Sequence, residues 1–342
     1  MSFPRFTMAL CITVFATLAL PAAAWNRSPA TQFATLPTGT AHPEGITADA
    51  RGNLYVANFD VSGNTSVGTV VVFDRNGRWL RTLSLGTASN LLLGLGFNPV
   101  THDLLVIDFG HQQVLKVDPQ TGNSSVFTTI PGGAAAGPNG LTFDAAGNVY
   151  ISDSFQATIW RTGPTPGAPT AWVSDPLLGT SGVPPFGANG LAFNRDASAL
   201  FVANTGNDTI VRIPLPGGPA GAPGTPEVFV NSINGADGLI IDAADNLWVA
   251  ANQADEIVVV NPTGRVIAKL GDFDGIDRQG AAVGLLFPAS LVMVNNFIYV
   301  TNLALDLRNF GLPQAVDSQW AAEVTRYTIA RIHAHLPPVR DQ

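Results

Sequence analysis

One short box of residues recurs six times along the chain, and this repetition limits the possible fold more than any other feature. It reads Pro43-Glu44-Gly45-Ile46-Thr47-Ala48-Asp49, Leu92-Leu93-Gly94-Leu95-Gly96-Phe97-Asn98 and Pro138-Asn139-Gly140-Leu141-Thr142-Phe143-Asp144. It returns as Ala188-Asn189-Gly190-Leu191-Ala192-Phe193-Asn194, as Ala236-Asp237-Gly238-Leu239-Ile240-Ile241-Asp242, and in degenerate form as Pro288-Ala289-Ser290-Leu291-Val292-Met293-Val294. The second position falls at 44, 93, 139, 189, 237 and 289, with intervals of 49, 46, 50, 48 and 52 residues. Self-similarity at such a period marks a repeat architecture.

A turn rich in Gly, Asn or Asp follows each box, and then a β-type run such as Leu54-Tyr55-Val56-Ala57-Asn58 or Val149-Tyr150-Ile151-Ser152-Asp153. Third runs such as Thr69 to Asp74 and Ile257 to Asn261 come next, with a weaker fourth such as Trp79 to Leu85. Short β-branched and aromatic runs between turns are strands. The 35 Gly and 25 Pro agree, because so much punctuation is incompatible with a helical bundle. Four strands in about fifty residues make a propeller blade, and six units make an all-β, six-bladed propeller. An open solenoid repeats at shorter periods.

The sixth unit has only three strands, the third read as Val324 to Ala330, while the run Thr31 to Leu36 precedes the first box without a blade of its own. This N-terminal strand is predicted to close the ring by completing the last blade, which also protects sheet edges. Pro164 to Pro169, Gly179 to Pro185 and Pro214 to Pro226 read as surface loops. Residues 303–322 form a long insertion whose Leu303, Leu305, Leu307, Phe310 and Leu312 predict a lid over the channel face.

Residues 1–24 carry Arg5, an apolar run from Met8 to Leu20 and the small residues Ala22 to Ala24, the pattern of an export signal cut after Ala24. That leaves 25–342 as a single propeller domain in a secreted or periplasmic compartment. The only cysteine, Cys11, lies in the signal, so the remaining chain must be stable without disulfides. No other run is long and apolar enough to span a bilayer. The net charge of -8 and the absence of cation clusters exclude nucleic acid as a partner.

In a propeller the innermost strands run side by side around a central channel, so one box position from every blade points into one small ring. The second position reads Glu44, Leu93, Asn139, Asn189, Asp237 and Ala289. Two carboxylates and two amides on one axis make an oxygen-rich site that suits Ca²⁺ better than metals favouring nitrogen or sulfur, with Zn²⁺, Mn²⁺ and Mg²⁺ as alternatives. Asn-Gly and Asp-Gly are also plain turn chemistry, and crowding at a channel favours glycine by itself. Glu44, which is no turn former, is what that simpler reading leaves unexplained.

The pattern resembles the SMP-30/gluconolactonase/LRE-like family of six-bladed calcium-dependent propellers and, more distantly, the paraoxonases. Glu44 in blade one, Asn139 in blade three, Asn189 in blade four and Asp237 in blade five carry the resemblance, which runs from His42 to Asn302. It implies ligand roles for Glu44, Asn189 and Asp237, and for Asn139 a fourth-ligand or substrate-polarising role. The implied activity is hydrolysis of a lactone or related ester by a monomer, with Asp237 as base and Asn139 as donor to the developing oxyanion.

Departures accompany the likeness. Gly follows every polar member, against a second structural calcium, and no Arg stands where gluconolactonases grip polar sugars. With Leu93 and Ala289 apolar, a hydrophobic lactone or ester is expected. His42 could act as a base beside Glu44 or serve as a capping residue, and His111 has the same two readings. Asn58, Asp108, Asp153, Asn204 and Asn302, at second-strand ends, read as turn residues of which one could face the pocket. Nucleophile elbow, P-loop and dinucleotide motifs are absent. The rival readings are a non-catalytic NHL-type propeller that binds a protein or glycan, and a metal-dependent lyase or isomerase on the same scaffold.

Overall fold

The computed structural model describes residues 28–63, 65–312 and 317–336, together with Met1. Apart from Met1, residues 1–24, expected to be an export signal, lie outside the described residues. Six antiparallel four-stranded sheets form the blades of a propeller. Their innermost strands are Pro43–Ala48, Leu92–Phe97, Pro138–Phe143, Ala188–Phe193, Ala236–Ile241 and Pro288–Val294, each coinciding with a box. Each inner strand packs on those of the two neighbouring blades, and the last packs on the first, so the ring is closed.

The closing strand is Thr31–Thr35, paired antiparallel with Thr328–His333 as the outermost strand of blade six. The third strand of that blade starts later than its sequence suggests. Val324 to Tyr327 are drawn elsewhere: Thr325 and Arg326 donate their N–H groups to the Gly280 carbonyl, and the Tyr327 carbonyl accepts from Leu36. A two-stranded hairpin, Phe273–Ile276 with Ala282–Gly284, joins blades five and six and has no counterpart in the repeat. The long insertion contains a 3-10 turn, Leu307–Phe310, and a single helical turn, Ser318–Ala321. No helix among the described residues is long and apolar enough to cross a membrane.

The last box residue makes the first turn of the blade. Asp49 Oδ1 accepts from the N–H groups of Arg51 and Asn53, both at 2.9 Å, and Asp144 and Asp242 repeat this at Ala146 and Asn148 and at Ala244 and Asn246. Such an Asx turn supplies the donors and acceptors that the backbone loses at a reversal. The same carboxylates receive the polar tips of buried aromatics, Tyr150 OH on Asp144 at 3.1 Å and Trp248 Nε1 on Asp242 at 2.9 Å. The large rings can therefore fill the space between blades without an orphaned donor.

The register of each inner strand slips between the first and fourth box positions, as between Pro43 and Ile46 or Ala236 and Leu239. A bulge of this kind lifts two residues out of the ladder and re-aims a side chain. In all six blades the lifted pair is the second and third box position. Crowding explains the glycine: a Cβ on Gly45 would lie 2.3 Å from the Leu93 carbonyl oxygen of the next blade. Glycine thus brings the inner strands together, and the bulge turns the residue before it toward the axis.

If the ring depends on its closing strand, a charge buried there is costly. Ala34, 4% exposed between blades six and one, is the position to load. Ala34→Asp should lower stability by about 3 kcal/mol or more, read as a fall in the urea midpoint. A midpoint equal to that of the parent would mean that the strand does not hold the ring.

Candidate functional site

Glu44, Asn139, Asn189 and Asp237 converge on one cavity at the channel mouth, and all four are buried. Their orientations come from a second ring of residues, each just past the end of the second strand of its own blade. Asn139 Nδ2 donates to Ser154 Oγ at 3.2 Å, Asn189 Nδ2 to Thr205 Oγ1 at 3.0 Å, and Asn252 Nδ2 to Asp237 Oδ2 at 2.9 Å. The hydroxyls are themselves fixed, since Ser154 donates to the Ala188 carbonyl at 2.7 Å and Thr205 to that of Ala236 at 2.8 Å. Both amides are thereby held by their nitrogen, and the donor expected of Asn139 is engaged with Ser154.

What remains is a set of oxygens with nothing to accept from. Glu44 Oε2, Asn139 Oδ1 and Asp237 Oδ1 are buried without a hydrogen-bond partner. Asn252 Oδ1 is a fourth such atom and lies against Gly235, where a Cβ would stand 1.9 Å away and φ is +66°. Buried polar atoms are nearly always satisfied, so several at one point call for an explanation. A hard cation fits the donor set, because carboxylate and amide oxygens are its usual ligands. Among the described residues no three His, Cys, Asp or Glu side chains gather as a metal group, so the fit rests on two carboxylates supplemented by amides.

Electrostatics agree. Burial, and then the charge of Asp237, hold the Glu44 carboxyl well above its ordinary range. Burial raises Asp237 to about 7, against the opposing hydrogen bond of Asn252. Asp255 is raised to about 8 by burial, with Asp317 and Asp272 adding to the effect, and its Oδ1 accepts from the Phe287 N–H at 2.7 Å. Asp255 thus fixes the backbone of a cavity-wall residue without entering the cavity.

The walls are apolar. Phe59, Leu93, Phe186 and Phe287 line the cavity together with Leu303, Leu305 and Leu307 from the long insertion. The expected lid therefore contributes three leucines to the cavity, while Phe310 points to solvent. Gly179 to Pro185, expected to be a surface loop only, differs in one respect. Pro184 is buried and lines the cavity beside Phe186, because the loop folds back onto blade three through Gly187 N–H to the Ser154 carbonyl.

The other candidates lie elsewhere. His42 Nδ1 donates to the Leu303 carbonyl at 3.1 Å, and Tyr327 OH donates to Nε2 at 3.0 Å. Burial lowers its pKa, and it does not line the cavity. His111 binds Asp108 from a half-exposed position. Asn58, Asp108, Asp153, Asn204 and Asn302 are buried in turn and strand contacts, as with Asn302 Nδ2 on the Gly284 carbonyl and Thr328. Asn252, Ser154 and Thr205 were not singled out from the sequence, although each follows a second strand at the same register.

Comparison with known proteins bears on the same residues. Residues 185–271 match the SMP-30/Gluconolactonase/LRE-like region. The matched region spans blades four and five and contains Asn189 and Asp237. No curated protein matches the chain. Among solved structures, a calcium-binding protein, regucalcin, from Agrobacterium tumefaciens is similar at 17% identity and a TM-score of 0.60, covering 91% of this chain and 99% of that one. A putative gluconolactonase is similar at 16% identity and 0.62, covering 90% and 92%. A streptogramin B lyase is similar at 17% and 0.55, covering 82% and 83%. At these identities the structural likeness speaks for the propeller fold.

The raised carboxyls give a stability test whose sign is fixed. The folded state keeps protons on Asp237 and Asp255 that the unfolded chain loses near its ordinary carboxylate pKa, so stability falls as pH rises from about 4 through 7 to 8. In chelator the melting temperature should drop by about 5 °C between pH 5 and pH 8.5, and calcium should restore more of it at pH 8 than at pH 5. A chelated melting temperature that is flat across this window and unmoved by calcium would count against the carboxylate pair.

Proposed function

We propose that the protein is an exported, monomeric, metal-dependent hydrolase of lactones or related esters. The observation that carries the reading is the group of unpartnered buried oxygens on Glu44, Asn139 and Asp237, beside Asn189, at the floor of an apolar-walled cavity. The match of residues 185–271 to the SMP-30/gluconolactonase/LRE-like region supports it. A propeller that only binds a partner on its face has no use for such a costly arrangement.

Glu44, Asn189 and Asp237 would hold a divalent ion, calcium by the hardness of the donors, with the Asn139 carbonyl oxygen as fourth donor. When bound, the ion supplies Lewis-acid polarisation of the substrate carbonyl. The protein supplies the rest. Asp237, buried at the floor, is the carboxylate placed to take a proton from the attacking water. Asn252 holds the other carboxylate oxygen and so fixes the direction in which the proton is accepted. The leucines and phenylalanines of the walls exclude bulk water, which strengthens every charge interaction at the floor.

A panel of lactones and aryl esters, assayed with and without chelator, tests the proposal. Calcium-dependent hydrolysis of at least one member is expected, and its absence across the panel would overturn the reading. Asp237→Ala should lower kcat by about a thousandfold or more. The same variant should still melt cooperatively, because the strand ladders of six blades do not depend on this side chain. Parent-like turnover by the variant would remove Asp237 from the chemistry.

A further inference from the structure

A chain of phenylalanines runs from the cavity wall to the surface. Phe59, buried at the wall, meets Phe109 edge to face at 5.8 Å between ring centroids. Phe109 in turn meets Phe155 at 5.8 Å and Phe186 at 6.3 Å, and these two meet each other at 5.4 Å. Exposure rises along the series, from 5% at Phe59 to 47% at Phe155. Val183, 51% exposed, adjoins Pro184, itself part of the cavity lining. Contiguous exposed apolar surface that continues a cavity is a mark of ligand binding.

The cavity itself is small, about 40 Å³. A water molecule needs about 10–15 Å³ on this scale and whole-ligand pockets measure roughly 300–1,000 Å³, so only an ion and a reacting carbonyl group fit inside. The remainder of any substrate must lie outside the mouth. Apart from Glu44 and Asp237 no charged side chain among the described residues lines the cavity, so a carboxylate or phosphate on the substrate would find no Lys or Arg there. A polyol would likewise leave its hydroxyls unmatched against phenyl and leucyl carbon.

We propose that Phe109, Phe155 and Phe186 form a subsite for an uncharged alkyl or aryl tail attached to the lactone or ester carbonyl. The proposal rests on the hydrolase reading for what happens at the floor, but tail binding can be measured without turnover. Docking is directional: the carbonyl enters the cavity, and the tail leaves between blades two, three and four along the phenylalanines.

The test uses the full chain with calcium and the series δ-valerolactone, δ-hexalactone, δ-octalactone and δ-decalactone, with glucono-δ-lactone as the polar comparison. The value of kcat/KM should climb with tail length, by up to about fourfold for each methylene removed from water, and should be lowest for the sugar lactone. Phe155→Ser, and Phe155→Gln as a variant of longer side chain, should flatten the climb. Val228→Ser, at an exposed position on the outermost strand of blade four, should keep it. A flat series, a preference for the sugar lactone, or an unchanged climb in both Phe155 variants would overturn the subsite.

If no lactone is hydrolysed, the fluorescent probe N-phenyl-1-naphthylamine and its displacement by 6-alkyl-2-piperidones decide the matter. Displacement that strengthens with alkyl length and weakens in Phe155→Ser upholds the tail subsite while the hydrolase reading falls. Displacement independent of tail length overturns the subsite as well.

Discussion

Oxygen atoms taken out of water without a donor to meet them are the most expensive feature of this protein, and much of the channel architecture serves to hold them in place. Glu44 and Asp237 are both buried, and each makes ionisation of the other harder. A fold that only needed stability would replace one of them with a small apolar residue, as blade six does at Ala289. The inner-strand bulges, the glycines that let strands approach, and the Ser154, Thr205 and Asn252 ring all hold donors at the axis against repulsion and hydration. An account of the molecule as a scaffold alone leaves these devices without a purpose.

The repeat made the fold legible because a propeller is built by translation along the sequence followed by rotation in space. The period gave the blade count, and the missing strand of blade six, set against the unassigned run at Thr31, gave the closure. Convergence of Glu44, Asn139, Asn189 and Asp237 was legible for the same reason, since equal positions in equal repeats must meet at the axis. The second ring was harder to see. Ser154, Thr205 and Asn252 also share one register, but their types differ, and each sits among turn-forming neighbours where a small polar residue carries no signal of its own. Phe186 escaped because its loop departs from the repeat, and only the folded loop brings it back to the cavity. The late start of the last strand likewise reflects a tertiary competitor, the Gly280 carbonyl, that no periodicity encodes.

Stability and chemistry are divided between different parts of each repeat. The last box residue, Asp49, Asp144 or Asp242, is spent on its turn and on the aromatic that fills the space between blades. The second box residue contributes nothing to the ladder, because the bulge has already removed it from pairing. This separation is why four blades can carry polar groups at the axis and two can carry apolar ones without any change in sheet register. It is also why the polar set does not weaken the strands that carry it.

The order of donors around the ring sets the direction of the site. Asn139, Asn189 and Asp237 come from consecutive blades, three, four and five, whereas Glu44 of blade one stands between the apolar Leu93 and Ala289. The ring therefore has a continuous arc of polar side chains on one side of the axis and a single carboxylate opposite, flanked by hydrocarbon. Toward blades two and six the lining is Leu93 and the insertion leucines, which give no competing polar contact. The two apolar members of the repeat are thus as much a part of the site as the four polar ones, because they keep the polar set one-sided and leave Glu44 without polar neighbours in the ring.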